Sequence, residues 1–417
     1  MGAGTTAFAP IDAPRRILAL DAIRGFALLG IFLMNVEWFS RPLQELGSGI
    51  APGATGLDYA AAWLVYVFVQ GKFWVLFSLL FGMGFAVMSA RAGDARTFNR
   101  AYLRRCAVLL LLGVAHALLL WPGDILHSYA IAAVVLLAFG EMPGRKRLWL
   151  GIGIYAAMVL LTLAIGGMLS LLPAEAGAEL ASASGITREA LDAATAAYAR
   201  GDFMRATAQR AQDFLRVLQG DVMVVPMAVG VFMIGIWLVR SGRMHDVLAQ
   251  RAFFLRLALY AIPAGLALVA CSVALGTSFD VSRDMGPMTV ASAVMLAGSL
   301  PLALGYLSLF VLGLGVPGLA RVLGWLAPAG RMALTNYLLQ SLVAALVFHG
   351  YGLALWGQVG RAGQVVLVFA VFAAQLLLSA LWLSRFRFGP LEWLWRWLTY
   401  GTRPPMRIVD RGLKLAP

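Results

Sequence analysis

The sequence predicts an all-α fold: a polytopic helical membrane protein with about ten transmembrane helices and an external helical hairpin. Of its 417 residues, 61% are hydrophobic and only 13% are charged, and the mean hydropathy is +0.82. These values lie outside the range of ordinary soluble domains. Apolar segments of roughly 20 residues recur along the chain, and each can cross a hydrocarbon layer of ~30 Å.

The distribution of charge supports this fold class and sets a topology. The net charge of +13 does not indicate a nucleic-acid-binding protein, because the basic residues lie in alternate loops. The positive-inside rule assigns such loops to the cytoplasm. The basic loops are residues 91–105, 145–147, 240–251 and 385–414. This pattern predicts a multi-pass protein with both termini in the cytoplasm.

Residues 1–171 are predicted to form an N-terminal transmembrane bundle of five spans. A polar cytoplasmic tail, residues 1–16, precedes the first span. The external loop 40–58 leads into a short interfacial helix at 59–70. The five spans are expected at residues 22–39, 72–90, 103–120, 125–139 and 148–171.

Residues 172–221 are predicted to form an external helical lid. The segment is alanine-rich and charged, and it contains no stretch that could cross a membrane. Thr187 can cap a helix that Gly201 ends, and Asp202 can cap a second helix that ends at Gly220. The periodicity of the second helix places five residues on one face. These are Phe203, Thr207, Ala211, Phe214 and Leu218.

Residues 222–417 are predicted to form a C-terminal transmembrane bundle. Pro263 and Pro301 are expected to kink two of its spans. An interfacial amphipathic helix follows, which Pro390 opens and Gly401 closes. The five spans of this bundle are expected at residues 222–239, 253–275, 289–314, 331–348 and 364–384.

The corner between the third and fourth spans carries the strongest candidate site. His116, Asp124 and His127 lie there in an apolar background, with Tyr129 close by. Titratable groups at membrane depth are costly to bury and mark functional sites by default. His116 could also simply bond a neighbouring carbonyl, and Asp124 could serve only as a helix cap. A carboxylate beside an imidazole is, however, the arrangement that general-base catalysis requires.

Each of the other polar groups within the spans has a structural interpretation as well as a functional one. Lys72 could snorkel to the outer boundary, and the amides of Asn336 and Gln340 could hold helices together. Arg24 and Arg331 could snorkel or could bind a phosphate-bearing ligand from the cytoplasm. No zinc, nucleotide-binding or nucleophile-elbow motif occurs in the chain, and no metal site is predicted.

Several long motifs resemble the YeiB-like family of bacterial inner-membrane proteins. Two of these motifs, residues 330–340 and 389–399, lie where that family carries the domain of unknown function 418. The motifs are residues 16–35, residues 72–73 with 76–82, His116 with residues 123–126, residues 330–340 and residues 389–399. The resemblance implies a location in the bacterial inner membrane.

The helical core of that family is similar to the transmembrane acyltransferases, including the heparan-α-glucosaminide N-acetyltransferase group. By this analogy Asp21-Ala-Ile-Arg-Gly25 corresponds to their opening motif. The resemblance implies acyl transfer from a cytoplasmic acyl-coenzyme A donor to an acceptor at or beyond the outer face, without a permanently bound cofactor. The lysosomal group carries its catalytic histidine in the first external loop. Residues 40–58 contain no histidine here, so His116 would serve instead.

Under this hypothesis His116, Asp124 and Asn35 are catalytic and converge in an external-facing cavity beneath the lid. Arg24 and Arg331 would bind the phosphates of the donor. The residues expected to bind substrate are Lys72, His127, Tyr129, Asn336, Tyr337 and Gln340. The expected partners are the lipid bilayer and a small-molecule, lipid or glycan acceptor, with a homodimer left open. The alternative is a transporter or efflux protein that uses the same polar residues for a small or lipid-like substrate.

Overall fold

The computed structural model describes residues 18–91, 94–140, 142–244 and 249–408 of the chain. Over these residues the chain forms sixteen α-helices and a few short 3₁₀ turns. The all-α prediction is therefore confirmed. The predicted tail, residues 1–16, lies outside the described residues, as do parts of the basic loops 91–105, 240–251 and 385–414.

Six helices make up the N-terminal part of the chain. The α4 helix begins at Ala95, before the predicted start of the third span at residue 103, and the Asp94 side chain caps it by accepting a hydrogen bond from the Thr97 backbone N–H at 2.8 Å. A turn at Pro122 and Gly123 separates α4 from α5. The six helices are α1 (Leu18–Asn35), α2 (Gly56–Phe68), α3 (Lys72–Ser89), α4 (Ala95–Leu119), α5 (Leu126–Leu136) and α6 (Gly144–Ser170).

The lid consists of α7 (Ala174–Ala183), α8 (Arg188–Ala199) and the first half of α9 (Phe203–Arg240). Both predicted caps are confirmed. Thr187 accepts from the Ala190 N–H at 3.1 Å, and Asp202 accepts from the Arg205 N–H at 2.8 Å. The α7 helix was not predicted from the sequence.

The prediction that the second lid helix ends at Gly220 is wrong. The α9 helix runs without a break for 38 residues, so the lid and the sixth span are one helix. The boundary predicted at residue 221 falls inside it. A glycine inside a helix costs only about 1 kcal/mol relative to alanine, which packing on both sides of Gly220 offsets.

Of the five residues predicted to share one face of the lid half of α9, Phe214 alone is buried. Phe203 is 42% exposed and Leu218 is 38% exposed. Instead the helix buries a polar face, because partners from distant segments hydrogen-bond to it. The buried residues there are Ala206, Gln209, Arg210, Asp213 and Phe214.

Seven helices complete the chain. The span predicted at 331–348 is split at Met332, where α13 ends and α14 begins. Pro263 and Pro301 lie inside α10 and α11 as expected, and Gly401 ends α16 with a φ of 74°. The helices are α10 (Arg251–Leu275), α11 (Met285–Leu314), α12 (Pro317–Gly324), α13 (Ala327–Arg331), α14 (Ala333–Phe348), α15 (Arg361–Arg385) and α16 (Pro390–Tyr400).

By length and composition, eight helical segments in the described part of the chain can cross a membrane. One of them, Gly56–Ser89, joins α2 and α3. Two shorter apolar segments, Leu126–Phe139 and Ala333–Phe348, correspond to the predicted fourth and ninth spans. Together these segments correspond one to one with the predicted spans.

The α9 helix forms the centre of the bundle and packs against α3, α5 and α6. Close approach depends on glycine, because a Cβ on Gly82 would lie 2.1 Å from the Phe232 carbonyl oxygen, and one on Gly235 would lie 2.2 Å from that of Leu79. The two ends of the bundle differ in character. We call the end with Arg24, Arg91, Arg105 and Arg331 the basic end, and the opposite end the lid end.

Candidate functional site

Asp124 combines the two roles that the sequence offered as alternatives. It lies two residues before Leu126, the first residue of α5, and its Oδ2 accepts a hydrogen bond from the His127 backbone N–H at 3.0 Å. Its Oδ1 lies 2.8 Å from Nδ1 of His116 on α4. Both side chains are completely buried. The carboxylate therefore caps α5 and holds the imidazole at the same time.

The other ring nitrogen of His116, Nε2, is buried without a hydrogen-bond partner among the described residues. Because Nδ1 faces a carboxylate, the favoured neutral tautomer carries its hydrogen on Nδ1 and leaves a lone pair on Nε2. The backbone at His116 is also held, since its carbonyl accepts hydrogen bonds from the backbone N–H groups of Leu120 and Trp121. An imidazole oriented by a carboxylate, with its second nitrogen free, is the arrangement of a general base.

Gly113 allows this pair to form. A Cβ at this position would lie 2.5 Å from the His127 backbone nitrogen and 2.8 Å from Asp124 Oδ2. Both distances are shorter than any van der Waals contact of a methyl group. The missing side chain on α4 therefore creates the space into which the start of α5 packs.

His127 extends the pair toward the lid end. Its Nδ1 lies 3.3 Å from Asp124 Oδ2, and its Nε2 lies 2.9 Å from Oδ2 of Asp221 on α9. Ser128 donates to the other carboxylate oxygen of Asp221 at 2.7 Å. Asp221 was not predicted as a site residue, and its sequence signal is weak, a single carboxylate at the membrane boundary of α9.

Two predicted tyrosines connect the pair to the interior. The Tyr337 hydroxyl lies 3.4 Å from Asp124 Oδ1, and its ring centroid is 5.1 Å from that of His116. The Tyr129 hydroxyl bonds Ser78 at 2.7 Å and the Trp74 carbonyl at 2.9 Å. Both tyrosines line the same internal cavity.

That cavity has a volume of about 300 Å³ and extends from Tyr129 and Tyr337 to the basic end. Its inner walls are aliphatic and aromatic, and its basic end is strongly cationic. The charged residues that line it are Arg24, Arg91, Arg105, Arg331, Arg396, Asp21 and Glu392. Such a combination suits an amphiphile with a phosphate-bearing head.

The cavity at the basic end is not the external-facing cavity predicted for His116, Asp124 and Asn35, because none of these three residues lines it. On the lid side, the Phe214 ring packs edge-on against His127 with centroids 4.9 Å apart. The lid half of α9 therefore covers His127.

Asn35 lies at the end of α1 and is 7% exposed. In the described part of the chain, no hydrogen bond joins its side chain to His116 or Asp124. The structure thus brings together His116, Asp124, His127 and Tyr337, but it does not hydrogen-bond Asn35 to this group.

The two predicted phosphate-binding arginines both line the cavity, but both have protein partners. Arg24 forms the expected ion pair with Asp21 at 2.7 Å. Arg331 donates to the Arg387 carbonyl at 3.4 Å. Arg105 was not predicted, and its guanidinium lies over the Trp395 ring of α16 at 3.6 Å.

The amides of α14 join that helix to α15. Asn336 donates to Ser379 at 3.0 Å and Gln340 donates to Gln375 at 2.9 Å. Gln375 in turn donates to the Asn336 carbonyl. These contacts agree with the helix-packing interpretation of both amides, and neither residue is among those lining the cavity.

Lys72 does not snorkel to the outer boundary, because this residue is 0% exposed. Its Nζ lies 3.2 Å from the Tyr66 carbonyl and 2.9 Å from Met295 Sδ. The packing of α3 beneath the end of α2 encloses the ammonium group. Lys72 does not line the cavity either.

Sequence reasoning missed a second polar cluster, between the lid and the loop after α14. The buried Arg210 donates to the Tyr351 hydroxyl at 2.6 Å and lies 3.4 Å from His349 Nδ1. Tyr198 donates to Asp213 at 2.7 Å. Burial, reinforced by the charge of Arg210, lowers the pKa of His349 to about 3. This neutral histidine is part of the attachment of the lid to the bundle.

No group of three or more His, Cys, Asp or Glu side chains within the described ranges is arranged to hold a metal ion. The side chains at the site and its cavity are two imidazoles, those of His116 and His127, two carboxylates, those of Asp124 and Asp221, two phenols and a cluster of guanidinium groups.

Comparison with known proteins assigns the chain to a family. It is 33% identical over 413 residues to the protein YxaH of Bacillus subtilis (strain 168), covering 95% of this chain and 97% of the relative. It is 31% identical over 400 residues to YeiB of Escherichia coli (strain K12), covering 94% and 98% of the two chains. The chain belongs to the YeiB-like family.

A further relative of this YeiB-like protein is a 39.9 kDa protein from the amylase 3' region of Bacillus acidopullulyticus. The two are 29% identical over 410 residues, which cover 96% of this chain and 98% of the relative. The model of a family described as a protein of unknown function (DUF418) matches residues 238–402. No solved structure matches the chain. These names state no reaction, so the function is argued from the site.

Proposed function

We propose that this YeiB-like protein is a membrane acyltransferase in which His116 is the general base. One observation carries the proposal. A buried imidazole is held by a carboxylate at 2.8 Å, while its Nε2 has no partner in the described structure. A buried polar atom without a hydrogen-bond partner destabilises the folded state by about 1–3 kcal/mol. A functional role explains why this atom is left unpaired, since Nε2 must be free to accept the proton of a substrate.

The reaction follows from this geometry. The hydroxyl or amine of the acceptor attacks the carbonyl carbon of an acyl thioester, and Nε2 of His116 takes its proton. Asp124 accepts the hydrogen bond of Nδ1–H and stabilises the imidazolium that forms. The carbon–sulfur bond then breaks, and the coenzyme A thiolate leaves. The phenol of Tyr337, next to both residues, is placed to donate a hydrogen bond to the developing oxyanion.

The cavity supports coenzyme A as the carrier of the acyl group. Five arginines and two carboxylates line it, so positive groups exceed negative ones by three. Phosphates favour such a site because guanidinium groups bind them in a bidentate manner. The aliphatic and aromatic walls between the arginines and Tyr337 suit an acyl chain.

The proposed orientation places the basic end in the cytoplasm and the lid end outside, following the positive-inside rule. The donor would then enter from the cytoplasm of the bacterium, and a small-molecule, lipid or glycan acceptor would approach from the lid end. Asn35, Asn336 and Gln340 have no part in this mechanism, since the first is not bonded to the pair and the others hold α14 to α15.

The test is thioester consumption by the purified protein with candidate acceptors. Replacing His116 by alanine should reduce the rate ~10²–10⁴-fold, the usual contribution of a positioned base. Coenzyme A binding should persist, because the arginines remain. His349→Asn is a matched control for changing a buried histidine outside the site, and it should keep the wild-type rate. Absence of coenzyme A binding by the wild type would refute the proposal.

A second function, a proton-coupled transporter, is favoured by a specific observation. His127 links Asp124 to Asp221, and chains of buried Asp and His side chains are typical of proton-coupled pumps. A transporter would consume no thioester. It would move substrate across liposome membranes in response to a proton gradient, and Asp221→Asn would abolish that movement.

A further inference from the structure

We infer that each acyl transfer delivers the proton of the acceptor to the lid end, through His127 and Asp221. The inference rests on the proposed function and adds a vectorial activity to it. The acceptor proton that reaches His116 must leave before the next turnover, and the structure contains a continuous chain of hydrogen-bonding groups for this purpose.

The hydrogen-bonded pathway from His116 to Asp221 has three links. His116 Nδ1 lies 2.8 Å from Asp124 Oδ1. Asp124 Oδ2 lies 3.3 Å from His127 Nδ1, and His127 Nε2 lies 2.9 Å from Asp221 Oδ2. An imidazole accepts a proton at one nitrogen and releases one from the other. Each of the two histidines can therefore pass a proton between its neighbours.

The solvent exposure of its side chains gives this hydrogen-bonded pathway a direction. The Asp124 side chain is 0% exposed and the His127 side chain is 1% exposed, whereas that of Asp221 is 11% exposed. Asp221 lies where the lid half of α9 enters the bundle. Ser128 donates to its second oxygen, which fixes the carboxylate in line with His127. The most accessible member of the chain thus lies nearest the lid.

The opposite route, through the cavity, is unfavourable for a proton. Tyr337 lies between Asp124 and the cavity, since its hydroxyl is 3.4 Å from Asp124 Oδ1 and the residue lines the cavity. Beyond it the walls include Leu28, Phe77 and Leu80, and the mouth carries an excess of arginines. Positive potential repels a proton, and the bound donor would fill this space during the reaction.

Bonds, electrons and protons balance over one acyl transfer. The acceptor oxygen or nitrogen forms a bond to the acyl carbon and loses a proton to His116. The carbon–sulfur bond breaks, and its electron pair leaves on the thiolate. The thiolate takes a proton from water at the basic end, while the acceptor proton passes through Asp124, His127 and Asp221 to water at the lid end. One proton is consumed at one end and one is released at the other.

The experiment uses the full-length protein in liposomes, oriented with the lid end outward, with pH-sensitive dyes inside and outside. Coenzyme A release and the two pH changes are measured together. Wild type should release about one external proton per thioester consumed, as the proton balance of general-base transfer requires. Asp221→Asn should slow turnover at least ~10-fold, and external imidazole buffer should restore it. The control is Asp192→Asn, which changes an exposed carboxylate of the lid that is not part of the proton-transfer pathway.

The outcomes are distinct. Thioester consumption without external proton release, or an Asp221→Asn rate equal to that of Asp192→Asn, overturns the inference and leaves the acyltransferase proposal intact. Loss of activity in Asp221→Asn that buffer does not rescue also overturns it, because the residue then has only a structural role.

A second measurement remains valid if the wild type consumes no thioester, which would refute the proposed function. The protonation of His127 is followed by nitrogen NMR of histidine-labelled protein in liposomes with different pH on the two sides. The inference requires that His127 respond to the external pH and that Asp221→Asn remove this response. A response to the internal pH alone overturns it.

Discussion

Nδ1 of His116 lies 2.8 Å from Oδ1 of Asp124, and both side chains are entirely buried. The same carboxylate caps α5 through the His127 N–H. The start of a helix and the orientation of the imidazole therefore depend on one residue. This coupling allows the two roles of Asp124 to be separated by substitution.

Replacing Asp124 by asparagine should reduce thioester consumption ~10²–10⁴-fold, because a neutral amide cannot stabilise the imidazolium of His116. The fold should survive, since asparagine is as good a helix cap as aspartate. Rates and thermal unfolding of the purified variant check both statements. The control is Asp94→Asn, which changes the cap of α4 but leaves the site intact. A wild-type rate for Asp124→Asn would exclude the proposed role.

Replacing Gly113 by alanine should displace Asp124, because the new Cβ would lie 2.8 Å from its Oδ2. Overpacking of this kind typically costs about 1–3 kcal/mol, and activity should fall with stability. Gly153→Ala on α6 is the matched control, since a Cβ there meets nothing within 4 Å. It should be neutral or stabilising by up to about 1 kcal/mol. Equal behaviour of the two variants in thermal unfolding would show that the packing at Gly113 is not tight.

Replacing Arg105 by glutamine should weaken coenzyme A binding about tenfold or more, because a charge-assisted hydrogen bond contributes about 1.5–3 kcal/mol. Arg105 lines the cavity beside Trp395. Arg100→Gln changes an exposed arginine of the same helix that does not line the cavity. Calorimetric titration of both variants in low and high salt is the measurement. Identical affinities would remove Arg105 from the donor site.

The attachment of the lid should weaken in acid. Burial lowers the pKa of His349 to about 3 from its usual 6.5, so His349 is neutral in the folded protein. The unfolded chain takes up this proton below about pH 6.5, and the folded state loses stability as the pH falls from there toward 3. The slope for this one group approaches about 1.4 kcal/mol per pH unit.

His349→Asn removes this titration but keeps an acceptor for Arg210. The thermal stability of the variant should therefore change less than that of wild type between about pH 7 and about pH 5. Protease sensitivity of α7 and α8 over the same range reports the lid directly. Parallel pH profiles for the two proteins would contradict the prediction.

Much of the architecture follows from local patterns that act without tertiary partners. Apolar runs of membrane length identified the spans, and side-chain oxygens at Asp202 and Thr187 identified two helix starts. The local motif around Pro122 and Gly123 also brought His116 and Asp124 close, because both lie at the ends of helices joined by one tight turn.

The errors have one physical cause, since each concerns a contact between distant segments. Gly220 does not end a helix because α9 is supported on both sides by packing. The lid half of α9 buries Arg210 and not Phe203 because Tyr351 and His349 supply polar partners from the loop after α14. Hydrophobic periodicity cannot reveal such partners.

The sequence by itself determined the apolar spans, their order and the pair formed by His116 and Asp124, because short-range sterics, capping and the hydrophobic effect act within one or two helices. Only the tertiary structure decided the position of the cavity mouth and the burial of Lys72. It also decided that Asp221 hydrogen-bonds to His127. These features arise from the packing of α9, α11 and α16 against helices far away in the chain, and no local pattern specifies which faces meet.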